Sequence, residues 1–109
     1  KRHGPFDVIL DDASHINELT LKSFNQLSKY ISPGGLYIIE DLRNSYEDLT
    51  EDVKKWPGMH LNEGNLNYNN LLTRRYLNDT ILSIIREFDY RCGDFEAVHF
   101  HSQMVILQK

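Results

Sequence analysis

Short apolar runs separated by an amphipathic stretch open this chain, a pattern typical of an α/β protein. Phe6 to Leu10, interrupted only by Asp7, predicts a buried strand, and Leu36 to Ile39 predicts a second. The segment 17–31 predicts a helix against a sheet, with apolar residues at steps of three and four: Leu21, Phe24, Leu27 and Ile31. We expect Pro33-Gly34-Gly35 to end this helix and turn the chain, so that a right-handed crossover joins two parallel strands.

The second half of the chain predicts a long helix and then a hairpin. Residues 71–88 carry a helical stripe made of Leu77, Ile81, Ile84, Ile85 and Phe88. Residues 95–101 and 103–108 predict two strands, and the gap between them is so short that they must pair antiparallel. The polar segment 42–70 is too long for a simple connection, and we expect a short helix within it around residues 46–55.

Composition narrows the possible functions. The 109 residues suffice for one compact domain, and a net charge of −4 gives no electrostatic reason to bind nucleic acid or an anionic membrane. No apolar run approaches the roughly 20 residues of a membrane-spanning helix. The single Cys92 cannot form an internal disulfide, which favours a reducing, cytoplasmic compartment, and a lone cysteine is more typical of packing than of nucleophilic catalysis.

Candidate chemistry lies where the two predicted strands end. Asp11 and Asp12 follow the first strand, Glu40 and Asp41 follow the second, and His15 comes three residues after Asp12. The ends of parallel neighbours lie about 5 Å apart, or about 10 Å with one strand between them. Carboxylates that close repel unless a cation lies among them, and Mg²⁺ suits such oxygen ligands. His15 could then act as a general base.

A simpler interpretation stands beside this one. Acidic residues at the end of a strand and the start of a helix need no further cause, because they cap the helix and favour its N-terminal dipole. His15 would then be a surface or capping residue. The spacing of these residues does not decide between a metal site and solvated chain ends.

Two motifs resemble a known family. Phe6-Asp7-Val8-Ile9-Leu10-Asp11-Asp12-Ala13-Ser14-His15 and Ser32-Pro33-Gly34-Gly35-Leu36-Tyr37-Ile38-Ile39-Glu40-Asp41-Leu42 are similar to the macrolide-sugar O-methyltransferases of the macrocin and mycinamicin type, with cephalosporin-hydroxylase-like proteins as relatives. The segment Phe95 to His101, followed by Met104-Val105-Ile106-Leu107, resembles the closing hairpin of that family. Pro-Gly-Gly before a strand is common to many methyltransferases, whereas its combination with the acid-Ser-His motif and the Glu-Asp pair is more specific.

The resemblance implies a doubly wound, Rossmann-like class I methyltransferase fold with parallel strands and a C-terminal antiparallel hairpin. It implies S-adenosylmethionine as methyl donor, Mg²⁺ as metal and a sugar-like acceptor. By position in the motifs, it assigns the metal to Asp12, Glu40 and Asp41 and the general base to His15. We further expect Asp11 to contact the donor. Tyr46 follows the acid pair and could touch the substrate, although a tyrosine in a polar loop more often packs on the surface.

The resemblance also implies that part of the fold is missing. Such enzymes bind the donor with a strand and a Gly-rich turn that precede the region matched here, and no such turn occurs in residues 1–109. The predicted first strand begins almost at Lys1, so we expect the chain to be the C-terminal half of a methyltransferase domain, without the donor-binding N-terminal half. Alternatives are a non-catalytic, truncated domain that associates with itself through an open strand edge, and a metal-dependent hydrolase built on the same acids. For any of them we expect a homo-oligomer.

Overall fold

The computed structural model describes residues 5–12, 15–55 and 66–109. Its strands form one sheet with the order β1-β2-β4-β3. In chain order the elements are β1 (Phe6–Asp11), α1 (Asn17–Leu27), β2 (Ile31–Ile39), α2 (Thr50–Val53), α3 (Asn70–Asp89), β3 (Ala97–His101) and β4 (Met104–Gln108), with 3-10 turns at Ser28–Tyr30 and Asn44–Tyr46. The predicted mixed α/β architecture is confirmed.

Strands β1 and β2 are parallel, as predicted, and α1 connects them; they are direct neighbours with no strand between them. Val8 lies opposite Leu36, and Asp11 lies opposite Ile39. Because both strands run in the same direction, the acidic residues that follow them leave the sheet at the same edge. That edge is where open α/β sheets bind ligands.

The boundary between α1 and β2 differs from the prediction. Helix α1 ends at Leu27, and Ile31 is the first residue of β2. Pro33-Gly34-Gly35 therefore lies within a strand and does not end a helix. The prediction included Ile31 in the helix because this residue continues the apolar spacing. It does so because it is buried in the same core that α1 covers.

Pairing with a distant part of the chain explains this longer strand. The N–H of Gly34 donates to the carbonyl of Lys109 at 2.8 Å, and the N–H of Lys109 donates to the carbonyl of Gly35 at 2.9 Å. Gly34 has a φ of 83°, a conformation that glycine adopts without strain. At Gly35, a Cβ atom would lie 2.8 Å from the carbonyl oxygen of Asp7 in the neighbouring strand. The two glycines thus let an irregular strand pair closely on both sides.

The long helix and the hairpin are confirmed. Helix α3 covers the predicted stripe, and β3 pairs antiparallel with β4. Strand β4 lies inside the sheet, since Leu107 is opposite Tyr37 of β2 and also opposite Val98 of β3. The short helix expected around residues 46–55 is the single turn α2.

One face of the sheet carries the main core. Side chains from α1, α3, β2 and β4 form this core, namely Phe24, Ile31, Tyr37, Ile39, Ile84, Val105 and Leu107. Residues alternate between the faces of a strand, so Val8 and Leu10 point to the opposite face. They are 52% and 54% exposed, and no helix in the described ranges covers that face.

Two expectations from composition can be compared with the structure. Cys92 is a free cysteine at the surface, so the prediction that it serves packing is wrong. No helix in the described part of the chain has the length and hydropathy needed to cross a bilayer.

Candidate metal centre

Residues that follow β1 and β2 meet at the carboxyl edge of the sheet. Asp12, His15 and Asp41 each offer one ligand atom, and these atoms lie within 4.8 Å of one another. Nε2 of His15 is 3.7 Å from Oδ2 of Asp41. The His15 side chain is 23% exposed and that of Asp41 is 49% exposed, so the group is accessible to solvent. We call Asp12, His15 and Asp41 the acid–histidine group.

Unusual backbone conformations position two members of this group. His15 has a φ of 63° and Asp41 has a φ of 57°. Residues other than glycine rarely adopt this left-handed region, and the strain costs on the order of 1–3 kcal/mol for each residue. Such residues concentrate at catalytic and ligand-binding positions, because the surrounding structure must hold them there. Arg91 and Gln103, outside this group, adopt the same conformation with φ of 55° and 60°, so the clustered side chains carry the assignment of the site.

Two other acidic residues named from the sequence lie beside the acid–histidine group but are not members of it. The N–H of Glu40 donates to the carbonyl of Asp11 at 3.0 Å, which continues the pairing of β1 with β2. Both side chains are half-buried. Burial, together with the nearby charge of Asp11, raises the pKa of Tyr37 to about 12. The role of Glu40 as a metal ligand and that of Asp11 as a donor contact stay predictions.

The chemistry of the acid–histidine group fits a divalent cation. Oxygen ligands on an octahedral Mg²⁺ at about 2.1 Å lie roughly 3–4 Å from one another, so side-chain movements of about 1 Å would bring the ligand atoms into range. Mg²⁺ prefers oxygen ligands, whereas imidazole suits transition metals. For Mg²⁺, the group therefore offers the carboxylates of Asp12 and Asp41, with the imidazole of His15 beside them.

A cavity of about 270 Å³ lies beside the segment that follows Asp41 in the chain. Leu42 lines it, and the N–H of Leu42 donates to the carbonyl of Gln103 in the β3–β4 turn at 3.0 Å. Tyr46, which is 53% exposed, also lines the cavity, and its ring centre lies 4.2 Å from the guanidinium carbon of Arg74. Asp12, His15 and Asp41 do not line this cavity, and the role of Tyr46 as a substrate contact stays a prediction.

The sequence analysis missed two buried asparagines. Asn17 is 1% exposed and Asn70 is fully buried. The N–H of Asn17 donates to Oδ1 of Asn70 at 2.9 Å, which connects the start of α1 to the start of α3. A signal was available, because Asn70 and Thr73 continue the buried stripe of α3 toward its N-terminus with polar side chains. Polar residues at core positions indicate a hydrogen-bond network.

Comparison with known proteins relates the chain to enzymes. No family model matches it. Over 57 residues it is 49% identical to demethylmacrocin O-methyltransferase of Streptomyces fradiae. This match covers 52% of the chain and 12% of that protein. Over 58 residues it is 45% identical to mycinamicin VI 2''-O-methyltransferase of Micromonospora griseorubida, covering 53% of the chain and 12% of that protein. The chain is a homologue of these sugar O-methyltransferases.

Solved structures are similar to the chain over nearly all of its 109 residues. The MycE methyltransferase from the mycinamycin biosynthetic pathway, in complex with Mg and SAH, matches 99% of the chain with a TM-score of 0.63 and 26% identity. The same enzyme in complex with Mg, SAH and mycinamycin VI matches 99% of the chain with a TM-score of 0.59 and 30% identity. The chain covers 28% and 26% of those proteins. The family resemblance and the methyltransferase type of fold are confirmed.

Proposed function

We propose that the chain is the C-terminal half of a methyltransferase domain. The whole protein is then an S-adenosylmethionine-dependent and divalent-metal-dependent O-methyltransferase that acts on a hydroxyl of a sugar or a similar small molecule. The observation that carries this proposal is the convergence of Asp12, His15 and Asp41 at the ligand-binding edge of the sheet. Its support is the relation to sugar O-methyltransferases, one of which is solved with Mg and SAH.

The acid–histidine group has the parts that this reaction needs. Asp12 and Asp41 would hold the cation, with Glu40, the residue that follows β2, as a further candidate carboxylate. A bound divalent cation orients a sugar hydroxyl and lowers its pKa. Nε2 of His15 accepts the hydroxyl proton as the oxygen forms its bond to the donor methyl carbon. The bond from that carbon to the sulfonium sulfur breaks, its electron pair stays on sulfur, and the products are a methyl ether and S-adenosylhomocysteine.

The open face of the sheet supports the assignment to half of a domain. Val8 and Leu10 expose more than half of their surface on the face opposite the core. In a doubly wound fold, helices cover both faces of the sheet. We assign the cover of this face, and most of the donor pocket, to the rest of the whole protein, with Asp11 contributing to the donor site from this half.

Metal binding by the chain tests the proposal without the donor. Isothermal titration with Mg²⁺ compares the wild-type chain with Asp12→Asn, Asp41→Asn and the control Asp52→Asn, an exposed acid of α2 outside the acid–histidine group. We expect one site in the wild type and the control, and at least a tenfold weaker site in the other two, because each loses one of few charged ligands. Equal affinities in all four chains, or no binding by the wild type, would overturn the metal centre.

A substitution of His15 separates a base from a ligand. In the whole protein, His15→Gln is expected to keep its Mg²⁺ affinity within a few-fold and to lose about 100-fold or more of its methyl transfer rate, since general base catalysis contributes about 10²–10⁴-fold. A parallel loss of metal affinity would instead make His15 a ligand. Unchanged transfer would remove it from the mechanism.

Partners and location complete the proposal. The acceptor is a small sugar-like molecule, and the whole protein is cytoplasmic and forms a homo-oligomer. The free thiol of Cys92 supports a reducing compartment. The edge of β1 is open in the described sheet, and it can pair with a strand from the rest of the whole protein or from a second copy.

A further inference from the structure

The side chain of Asn70 bridges the two loops that carry the acid–histidine group. Its Nδ2 donates to the backbone carbonyl of His15 at 2.7 Å and to the backbone carbonyl of Asn44 at 3.0 Å. Its Oδ1 accepts from the N–H of Asn17 at 2.9 Å. Both hydrogens of one amide are therefore used on two different loops, 55 and 26 residues away in the chain.

Each loop contains one of the strained residues. The first contact falls on His15 itself, whose φ is 63°. The second falls on Asn44, whose N–H donates to the carbonyl of Asp41 at 3.1 Å and so closes the turn that begins at Asp41. Asp41 has a φ of 57°. A hydrogen bond to the carbonyl of a residue in this conformation helps to offset the cost of holding it there.

The bridge is rigid because it is buried and completed from both sides. Nδ2 of Asn17 donates to the carbonyl of Ser45 at 2.9 Å and to the carbonyl of Asn70 at 3.2 Å. The N–H of Asn70 donates to the carbonyl of Glu47 at 3.0 Å. Buried amides that lose a partner pay a desolvation cost, so this network has one favoured arrangement.

We infer that Asn70 is the positioning residue of the proposed metal centre, because its amide sets the distance between His15 and Asp41. The inference rests on the proposed function, since it assigns a role within that site. The amide of Asn70 bonds to backbone carbonyls and not to the ligand atoms of the acid–histidine group, so it acts through the backbone of the two loops. Partners that orient metal ligands typically change metal affinity by about 10–100-fold when they are removed.

The test replaces Asn70 with aspartate in the chain as it exists. Asn70→Asp keeps Oδ1 for the N–H of Asn17 but places an oxygen against two carbonyl oxygens. The matched control is Thr73→Val, one turn further along α3, because Thr73 is buried and its hydroxyl has no hydrogen-bond partner in the described parts of the chain. We expect Asn70→Asp to bind Mg²⁺ about 10–100-fold more weakly, and Thr73→Val to bind it as the wild type does. If Asn70→Asp fails to fold by circular dichroism, Asn70→Ser replaces it, because serine is too short to reach both carbonyls.

A second measurement does not need the metal. Backbone amide chemical shifts of residues 15 and 41, recorded without Mg²⁺, should change in Asn70→Asp and stay constant in Thr73→Val. Constant shifts in both variants would overturn the role of Asn70. So would an Asn70→Asp chain that binds Mg²⁺ as tightly as a wild type that binds it. If the wild type binds no Mg²⁺ but the shifts at residues 15 and 41 move as expected, the metal centre fails while the positioning of the two loops by Asn70 stands.

Discussion

Replacing Tyr37 with phenylalanine tests how the core under the candidate site is built. Tyr37 is fully buried, and its ring meets that of Phe24 edge to face at 5.1 Å between the centroids. Its hydroxyl has no hydrogen-bond partner within the described ranges. Burying a hydroxyl without a partner costs about 1–3 kcal/mol, whereas Tyr37→Phe keeps the ring contacts. We therefore expect the free energy of unfolding at pH 7 to stay equal or to rise by about 1 kcal/mol.

The same residue predicts a dependence on alkaline pH. Burial raises the pKa of Tyr37 from 10.0 to about 12 in the folded chain. Between these values, the unfolded chain ionises at this position while the folded chain does not. The stability that Tyr37 contributes is therefore complete below pH 10 and is lost as the pH rises toward 12. A difference of two pKa units corresponds to a loss of up to about 2.7 kcal/mol, and Tyr37→Phe does not suffer it.

Urea unfolding followed by circular dichroism at pH 7, 10 and 11 measures both effects. The advantage of Tyr37→Phe over the wild type should grow with pH. Tyr90→Phe serves as the control, because Tyr90 is 76% exposed, and it should follow the wild type at every pH. A Tyr37→Phe chain that is less stable than the wild type by more than about 1 kcal/mol at pH 7 would mean that the hydroxyl makes a stabilising bond, and the reasoning would be wrong.

Two further predictions concern the frame around the site. Gly35→Ala should lower the free energy of unfolding by about 1–3 kcal/mol in urea, because its Cβ would lie 2.8 Å from the backbone oxygen of Asp7. Gly34→Ala, with no neighbouring atom within 4 Å, should lose only the smaller conformational cost; equal losses would contradict the close approach at Gly35. Hydrogen bonds from Thr50 lower the pKa of Asp48, so their contribution to stability is present above pH 3.8 and is lost as the pH falls below it. Asp48→Asn should remove this dependence, seen as a melting temperature difference from the wild type that shrinks between pH 5 and pH 3; a constant difference would contradict it.

Local pattern predicted the elements whose partners are close in the chain. The apolar run after Phe6, the stripe of α3 and the short gap inside the hairpin each contain their own signal. The start of β2 does not, because Gly34 and Gly35 pair with Lys109 at the far end of the sequence. The helical spacing of apolar residues includes Ile31, so the sequence predicted a helix there. The pairing that makes this segment a strand involves residues far away in the chain.

The candidate site was predicted in part for a similar reason. Placing acids at two parallel strand ends was enough to bring Asp12 and Asp41 together with His15. Glu40 is not a member of this group, and its role as a metal ligand stays a prediction. The burial of Asn70 could have been predicted from its place on the stripe of α3, but its bridge could not, because its partners His15 and Asn44 lie 55 and 26 residues away in the chain.

The interior position of β4 has a consequence for folding during synthesis. Strands β1 and β2 and the helix between them leave the ribosome before β4 does, so β2 lacks its second neighbour until the segment ending at Gln108 has emerged. Through that interval the backbone of β2 presents an unpaired edge, which invites pairing with a neighbouring nascent chain. Slow translation of the polar segment 42–70 would lengthen this exposure. Codon choice in that segment should therefore affect the yield of recombinant protein.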